Sequence, residues 1–289
     1  MAGPSTTLTA RYGLAPVYPC DAAGDLYLFE HEAPTNGAFT WGESYQIGGG
    51  WLGRVLAGPS GWMFGITTGG ELRLLHYNGT RWDGFPGGGE YKVLGQGWSY
   101  TAANTRNRIS VDEDGVLYTL DTSGNLKAHY YNFAKNQWAV QGALLDTGLT
   151  QYNAIVATSK GVVYMRTTAG AMFRYHIDFW SGTNPTWVRP VAQVTTGWQN
   201  LKNISSPGGE VFYAVDSSTG NLLWHSYNPV TKKWASTAGN VIGTGWNNEQ
   251  DVVAQSNACS RFDWATACTS FGPRDGGAVV TRLNAVRKN

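Results

Sequence analysis

LYTLDTSGNLKAHYYN, residues Leu117–Asn132, holds two short runs on either side of a glycine turn. In both runs apolar and polar residues alternate with a period of two, and aromatic and β-branched residues fill them. That is the pattern of half-buried strands, not of a helix. The DTSG between them is turn sequence, with small polar residues leading into a glycine. The same unit recurs as VYPCDAAGDLYLFEHE from Val17, MFGITTGGELRLLHYN from Met63, VYMRTTAGAMFRYHID from Val163 and FYAVDSSTGNLLWHSYN from Phe212. Each copy is followed by a single tryptophan: Trp41, Trp82, Trp138, Trp187 and Trp234. A Gly-Trp pair then follows at Trp51, Trp98, Trp198 and Trp246, whereas the third copy ends in Gly148-Leu149.

The turn glycines Gly24, Gly70, Gly124, Gly170 and Gly220 recur about every 50 residues, a period typical of radial or stacked repeats. No stretch of about ten residues or more carries a helical stripe. Four short strands per repeat of this length predict an all-β, five-bladed β-propeller of four-stranded antiparallel blades, closed so that only short edges remain. The repeats fall at about 17–62, 63–115, 116–161, 162–210 and 211–255, within a single propeller domain spanning 1–289. DVVAQS, from Asp251, reads as an inner strand that completes the first blade from the far end of the chain. A strand at Leu8–Tyr12 competes for that place. Residues 256–289 form a C-terminal extension outside the repeat, with a strand-like run AVVTRLNAV whose place the pattern does not assign.

Composition narrows the function. Of 289 residues, 13% are aromatic and only 14% charged, with 38 Gly, 13 Trp and a net charge of +1. A partner such as nucleic acid or an anionic membrane calls for a basic excess or patch, and none is present. No apolar run approaches the roughly 18 residues of a membrane-spanning helix. The opening MAGPSTTLTARYG has neither a charged n-region nor an apolar h-region, so it is not a signal peptide. The expectation is a mature secreted or extracellular protein, with a cytoplasmic one as the alternative. Cys259 and Cys268 are close enough to close a small loop in an oxidising compartment, which would leave Cys20 over.

The run from Gly197 to Trp246, GWQNLKNISSPGGEVFYAV…NLLWHSYN…KKW…NVIGTGW, resembles the repeat of the tachylectin propeller lectins. Gly-Trp, an apolar strand, a Pro-Gly-Gly turn, a second strand, a Trp and an IG-x-GW end follow in that order. The resemblance covers about residues 17–255. It implies five blades and a lectin that binds N-acetylhexosamines, N-acetylglucosamine or N-acetylgalactosamine, on glycans. The repeats here diverge from one another more than that family's do.

In a four-stranded blade, the loop between the second and third strands and the exit from the outermost strand emerge on one face. The first set carries Asp21, Thr67, Asp121, Thr167 and Asp216; the second carries Trp51, Trp98, Trp198 and Trp246. An aromatic ring beside a fixed polar turn is what a sugar needs, the ring for its C–H face and the polar groups for its hydroxyls. These nine residues are the candidate carbohydrate-binding set, repeated at blade borders and acting together by avidity. A tryptophan repeated once per blade is also what wedges blades together, and the mid-blade tryptophans are read that way. Asn78, Asn132 and Asn228 read as hairpin residues on the opposite face.

The histidines His31, His76, His129, His176 and His225 fall one per repeat, but a ring of separate blades cannot converge them on one ion. They are read as sheet residues, and no metal or cofactor is expected. Asp112-Glu113-Asp114 reads as a solvated hairpin, and no carboxylate pair or G-x-S-x-G element marks an enzyme. A propeller that binds a protein partner is the main alternative, and a sugar-processing enzyme a weaker one.

Overall fold

The computed structural model describes residues 13–178, 186–187, 191–262 and 265–268. They form five sheets, each a blade of a ring. Blade one contains Ala15–Asp21, Leu26–His31 and Trp41–Gly48, with Glu249–Ala254 as its innermost strand. Blade two runs outward through Gly53–Ala57, Trp62–Thr67, Leu72–His76 and Lys92–Gly95, and blade three through Ile109–Val111, Val116–Leu120, Leu126–Asn132 and Gln137–Asp146. Blade four uses Tyr152–Ala157, Val162–Thr167, Met172–Asp178 and Ala192–Thr195, and blade five Leu201–Gly208, Val211–Asp216, Leu222–Asn228 and Asn240–Gly243. Within each blade neighbouring strands are antiparallel. The inner strands of successive blades touch in cyclic order, and that of blade one touches that of blade two, so the ring is closed.

The sequence pattern grades from axis to rim as this geometry demands. Gly53–Ala57 and Val116–Leu120 lie between other strands on both faces and are buried throughout. The third strands Leu26–His31 and Leu72–His76 alternate between buried and half-buried residues, and the outer strand Trp41–Gly48 is largely exposed. The closing strand is the one from Asp251: Val17 to Cys20 pair in register with Ala254 to Asp251. The competing candidate at Leu8–Tyr12 lies outside the described residues. A repeat read along the sequence therefore runs from the second strand of one blade to the first strand of the next.

The axis is filled by charge as well as by apolar side chains. The buried Asp251 carboxylate accepts hydrogen bonds from Arg54 of blade two, from the Val55 N–H at 2.9 Å and from Arg106 at 2.8 Å, at the entrance to blade three. A cavity of only about 10 Å³ remains there, room for at most one water.

Beyond blade one, Gln255 donates its N–H to Pro16 O at 2.9 Å, and the Ser60 N–H donates to Asn257 Oδ1 at 2.9 Å. The chain then forms a hairpin, Cys259–Phe262 with Ala265–Cys268, joined to blade five by a parallel bridge between Cys259 and Gly208. A Cβ on Gly208 would sit 2.1 Å from Cys259 O, so only glycine fits. Cys259 is disulfide-bonded, its register partner across the hairpin is Cys268, and Cys20 is free and buried. The AVVTRLNAV run lies outside the described residues.

Candidate functional site

The polar turns between second and third strands share one construction. Asp21 Oδ1 accepts the Asp25 N–H, Asp121 Oδ1 the Asn125 N–H, Thr67 Oγ1 the Glu71 N–H and Thr167 Oγ1 the Ala171 N–H, each at 2.9–3.1 Å. Asp216 Oδ1 accepts the Ser218 N–H at 2.8 Å and its hydroxyl at 2.6 Å, bonds that hold its carboxyl below the usual range. Each turn glycine then receives the next corner. The N–H groups of Trp51, Trp98, Leu149, Trp198 and Trp246 donate to the carbonyls of Gly24, Gly70, Gly124, Gly170 and Gly220 at 2.9–3.1 Å. Turn and corner thus meet on one face in all five blades, including the third, where leucine replaces tryptophan.

The rings of the corners lie against the neighbouring blade. Trp51 pairs with Trp82 at 5.4 Å between centroids, Trp98 with Trp138 at 6.2 Å, Trp198 with Trp234 at 5.3 Å and Trp246 with Trp41 at 5.8 Å. The mid-blade ring also donates its indole N–H across the border: Trp138 to Leu94 O at 2.9 Å, Trp234 to Val194 O at 2.8 Å, Trp82 to Ile47 O and Trp41 to Ile242 O. These tryptophans are staples between blades. The side chain of Trp187 lies outside the described residues.

At three borders a third ring completes the packing, and it comes from the fourth residue of the next blade's third strand. Phe29 meets Trp246 at 5.4 Å, His129 meets Trp98 at 4.9 Å and His225 meets Trp198 at 4.6 Å. Those corner tryptophans are correspondingly buried, at 8%, 7% and 2% exposure. Closed in on both sides, their rings offer no open face to a ligand, and they act as wedges.

The border between blades one and two is different. Blade two has Leu75 where the other blades have Phe29, His129, Tyr175 or His225. It also has Gly65 at the register where blades three, four and five have Thr119, Met165 and Ala214. Trp51 settles into this space, and a Cβ on Gly65 would stand 3.2 Å from its Cζ3. Trp51 remains half-buried, and its indole N–H finds no acceptor among the described residues. Beside it opens a cavity of about 370 Å³, within the roughly 300–1,000 Å³ usual for ligand pockets. Its walls include Gly48, Gly49 and Gly50, Trp51, Trp82 and Thr67.

Of the nine sequence candidates, Trp51 and Thr67 come together at this cavity. The remaining seven stand at the equivalent places of other borders, the turn residues capping their own loops and the tryptophans packed between blades. Gly65, Leu75 and Trp82 complete the site, and the aligned repeats carry a signal for the first of them, a glycine where other copies have side chains.

Other expected side chains fall out as follows. Asn78, Asn132 and Asn228 do accept the backbone N–H groups of their hairpins, at 2.8–3.1 Å. The His31 Nε2–H donates to Ala38 O at 2.9 Å, and His129 is held as a neutral tautomer whose Nδ1 accepts the Gly142 N–H at 3.0 Å. Among the described residues no three metal-binding side chains gather. The reading of Asp112-Glu113-Asp114 as a solvated hairpin is corrected, since all three are buried. The turn packs against its neighbour in blade four, with the Glu113 N–H on Thr158 O at 3.2 Å. Within it Asp112 accepts the Asp114 and Val116 N–H groups at 3.0 Å and the Tyr118 hydroxyl at 3.1 Å.

No curated protein matches the chain in sequence. The structure of SapL1 lectin in complex with alpha methyl fucoside is 13% identical over 83% of this chain and 100% of its own, with a TM-score of 0.43. Aleuria aurantia lectin in complex with alpha-methyl-L-fucoside is 11% identical over 76% of this chain and 72% of its own, at 0.42. The Pseudomonas aeruginosa periplasmic gluconolactonase PpgL is 13% identical over 83% and 70%, at 0.40. Likenesses this distant, to binding proteins and to a lactonase alike, carry no argument about ligand or activity. The family model does: Tachylectin matches residues 20–251, the whole run from the first polar turn to the closing strand. The chain belongs to the tachylectin family.

Proposed function

We propose that the protein is a carbohydrate-binding lectin whose working site is the cavity between blades one and two, and that it recognises N-acetylhexosamines on glycans. The observation that carries the reading is the half-buried Trp51 with an unused indole N–H on the wall of a ligand-sized cavity. A pyranose lays its C–H face on an aromatic ring and spends its hydroxyls and acetamide on polar groups around it. The bared glycines at 48–50 allow a sugar to approach backbone amides closely. Family membership supports the N-acetylhexosamine class. Binding at the blade border rather than at the axis fits an axis filled by the Asp251 ion pairs, where the cavity is only about 10 Å³.

A face for a protein partner would gather apolar surface into one patch. Here the exposed Phe39, Tyr45, Val93, Leu144, Val230 and Val241 are spread over blades one, two, three and five, and Leu52 and Tyr91 lie at the cavity itself. The reading places the protein outside the cell, where glycans are displayed and where the oxidised Cys259 would persist. The test is isothermal titration with N-acetylglucosamine and N-acetylgalactosamine, reading stoichiometry together with affinity. About one equivalent per chain is expected, lost in Trp51→Ala; the absence of heat with both sugars would overturn the reading.

A further inference from the structure

The cavity between blades one and two has a second aromatic wall that the described residues of the other borders do not repeat. Tyr91, just before the outer strand of blade two, is 41% exposed and lines it together with Arg73 and Glu90. A tyrosine this exposed is ordinarily free to swing, yet here it is held. The Arg73 guanidinium lies 4.1 Å from its ring centroid, a cation–π contact. Arg73 is itself fixed by donating Nε–H to Glu71 Oε1 at 2.6 Å, and the other oxygen of Glu71 accepts Gln96 Nε2 at 3.0 Å. The relay Gln96–Glu71–Arg73–Tyr91 thus sets one ring in place before any ligand arrives, and ordering a side chain in advance lowers the entropic cost of binding.

The charges in the relay cancel. Glu71 neutralises Arg73, and Glu90 on the same wall adds a carboxylate, so the wall has no excess of positive charge to draw an acidic sugar. The remaining N–H groups of Arg73, with no acceptor among the described residues, stay available to hydroxyls. The corresponding positions in the other blades are Tyr27, Lys127, Phe173 and Leu223, and among the described residues none of them lies over an aromatic ring as a cation. Two aromatic platforms, Trp51 with Trp82 and Tyr91 on Arg73, share one cavity.

We infer that this border is an extended site for a neutral oligosaccharide, holding one sugar ring against Trp51 and the next against Tyr91. The inference rests on the carbohydrate reading above. Its test is titration of the wild-type chain, Tyr91→Ala and Tyr91→Phe with matched probes. These are N-acetylglucosamine against chitobiose and chitotriose, and N-acetylgalactosamine against a galactosyl-N-acetylgalactosamine disaccharide. The expected result is an oligosaccharide-to-monosaccharide affinity ratio of about ten in the wild type, the scale of one aromatic stacking contact. It should fall to about one in Tyr91→Ala and be retained in Tyr91→Phe. Equal affinities for mono- and oligosaccharides in the wild type, or an unchanged ratio in Tyr91→Ala, would overturn the extended site and leave the lectin standing. The absence of heat with every probe would instead remove the lectin reading, and this inference with it.

Discussion

At the scale of single residues, two glycines decide what the molecule can hold and how firmly it is built. Gly65 makes the cavity, because any side chain there meets the Trp51 ring. Gly65→Thr gives blade two the residue that blade three carries, and it should abolish sugar binding in titration while leaving the thermal transition within a few degrees of wild type. Gly124 does structural work of another kind. Its φ is +80°, and a Cβ would stand 2.7 Å from the N–H of Leu149 that its own carbonyl accepts. Gly148 has a φ of +73° but open space around it. Gly148→Ala should cost about 1 kcal/mol for conformation alone, and Gly124→Ala clearly more, read as the difference in urea midpoints. The turn residues and corner tryptophans were legible in the sequence because they recur with the repeat. Which corner stays open was not, because it depends on Gly65 and Leu75, two departures from a pattern that sequence reading averages over. The burial of Asp112, Glu113 and Asp114 was hidden for a related reason: a DEDG turn looks the same whether it faces water or the neighbouring blade.

At the scale of strands and borders, the blades are held by repeated indole staples. Removing the N–H of Trp138 leaves Leu94 O without its donor, so Trp138→Phe should lower stability by about 1–3 kcal/mol in denaturant titration. The imidazoles beneath the rings add a dependence on pH. Burial pushes His129 and His225 down to about 4, with the Lys127 cation adding to the effect at His129. In the unfolded chain both protonate near the ordinary value of about 6.5. Between those values the unfolded state binds more protons than the folded one, so stability is full above about pH 6.5 and falls as the pH drops towards 4. Calorimetry between pH 7 and 4 should show the melting temperature declining, and less steeply in a His129→Gln variant. Strand order and blade number followed directly from the alternation in Leu117–Asn132 and its four relatives. The short strands at Thr186–Trp187 and Lys233–Trp234 did not, being too brief for any periodicity to register.

At the scale of the whole molecule, one carboxylate links three blades. Asp251 stands on the closing strand of blade one and takes hydrogen bonds from Arg54 and Val55 of blade two and from Arg106 before blade three. Asp251→Ala would leave two cations at the axis without their counter-charge, a change that typically costs about 3–5 kcal/mol. The urea midpoint of that variant should fall accordingly, and by more than that of Trp138→Phe. The strand that carries Asp251 has a further consequence, one that concerns the making of the protein rather than its finished form. A ribosome delivers Ala15–Asp21 first and Glu249–Ala254 more than two hundred residues later. At about 5–20 residues per second, the inner edge of blade one waits unpaired for roughly 10–50 s. Throughout that interval the nascent chain presents an open β-edge to every other strand emerging beside it, so the ring can shut only once its last blade has been synthesised.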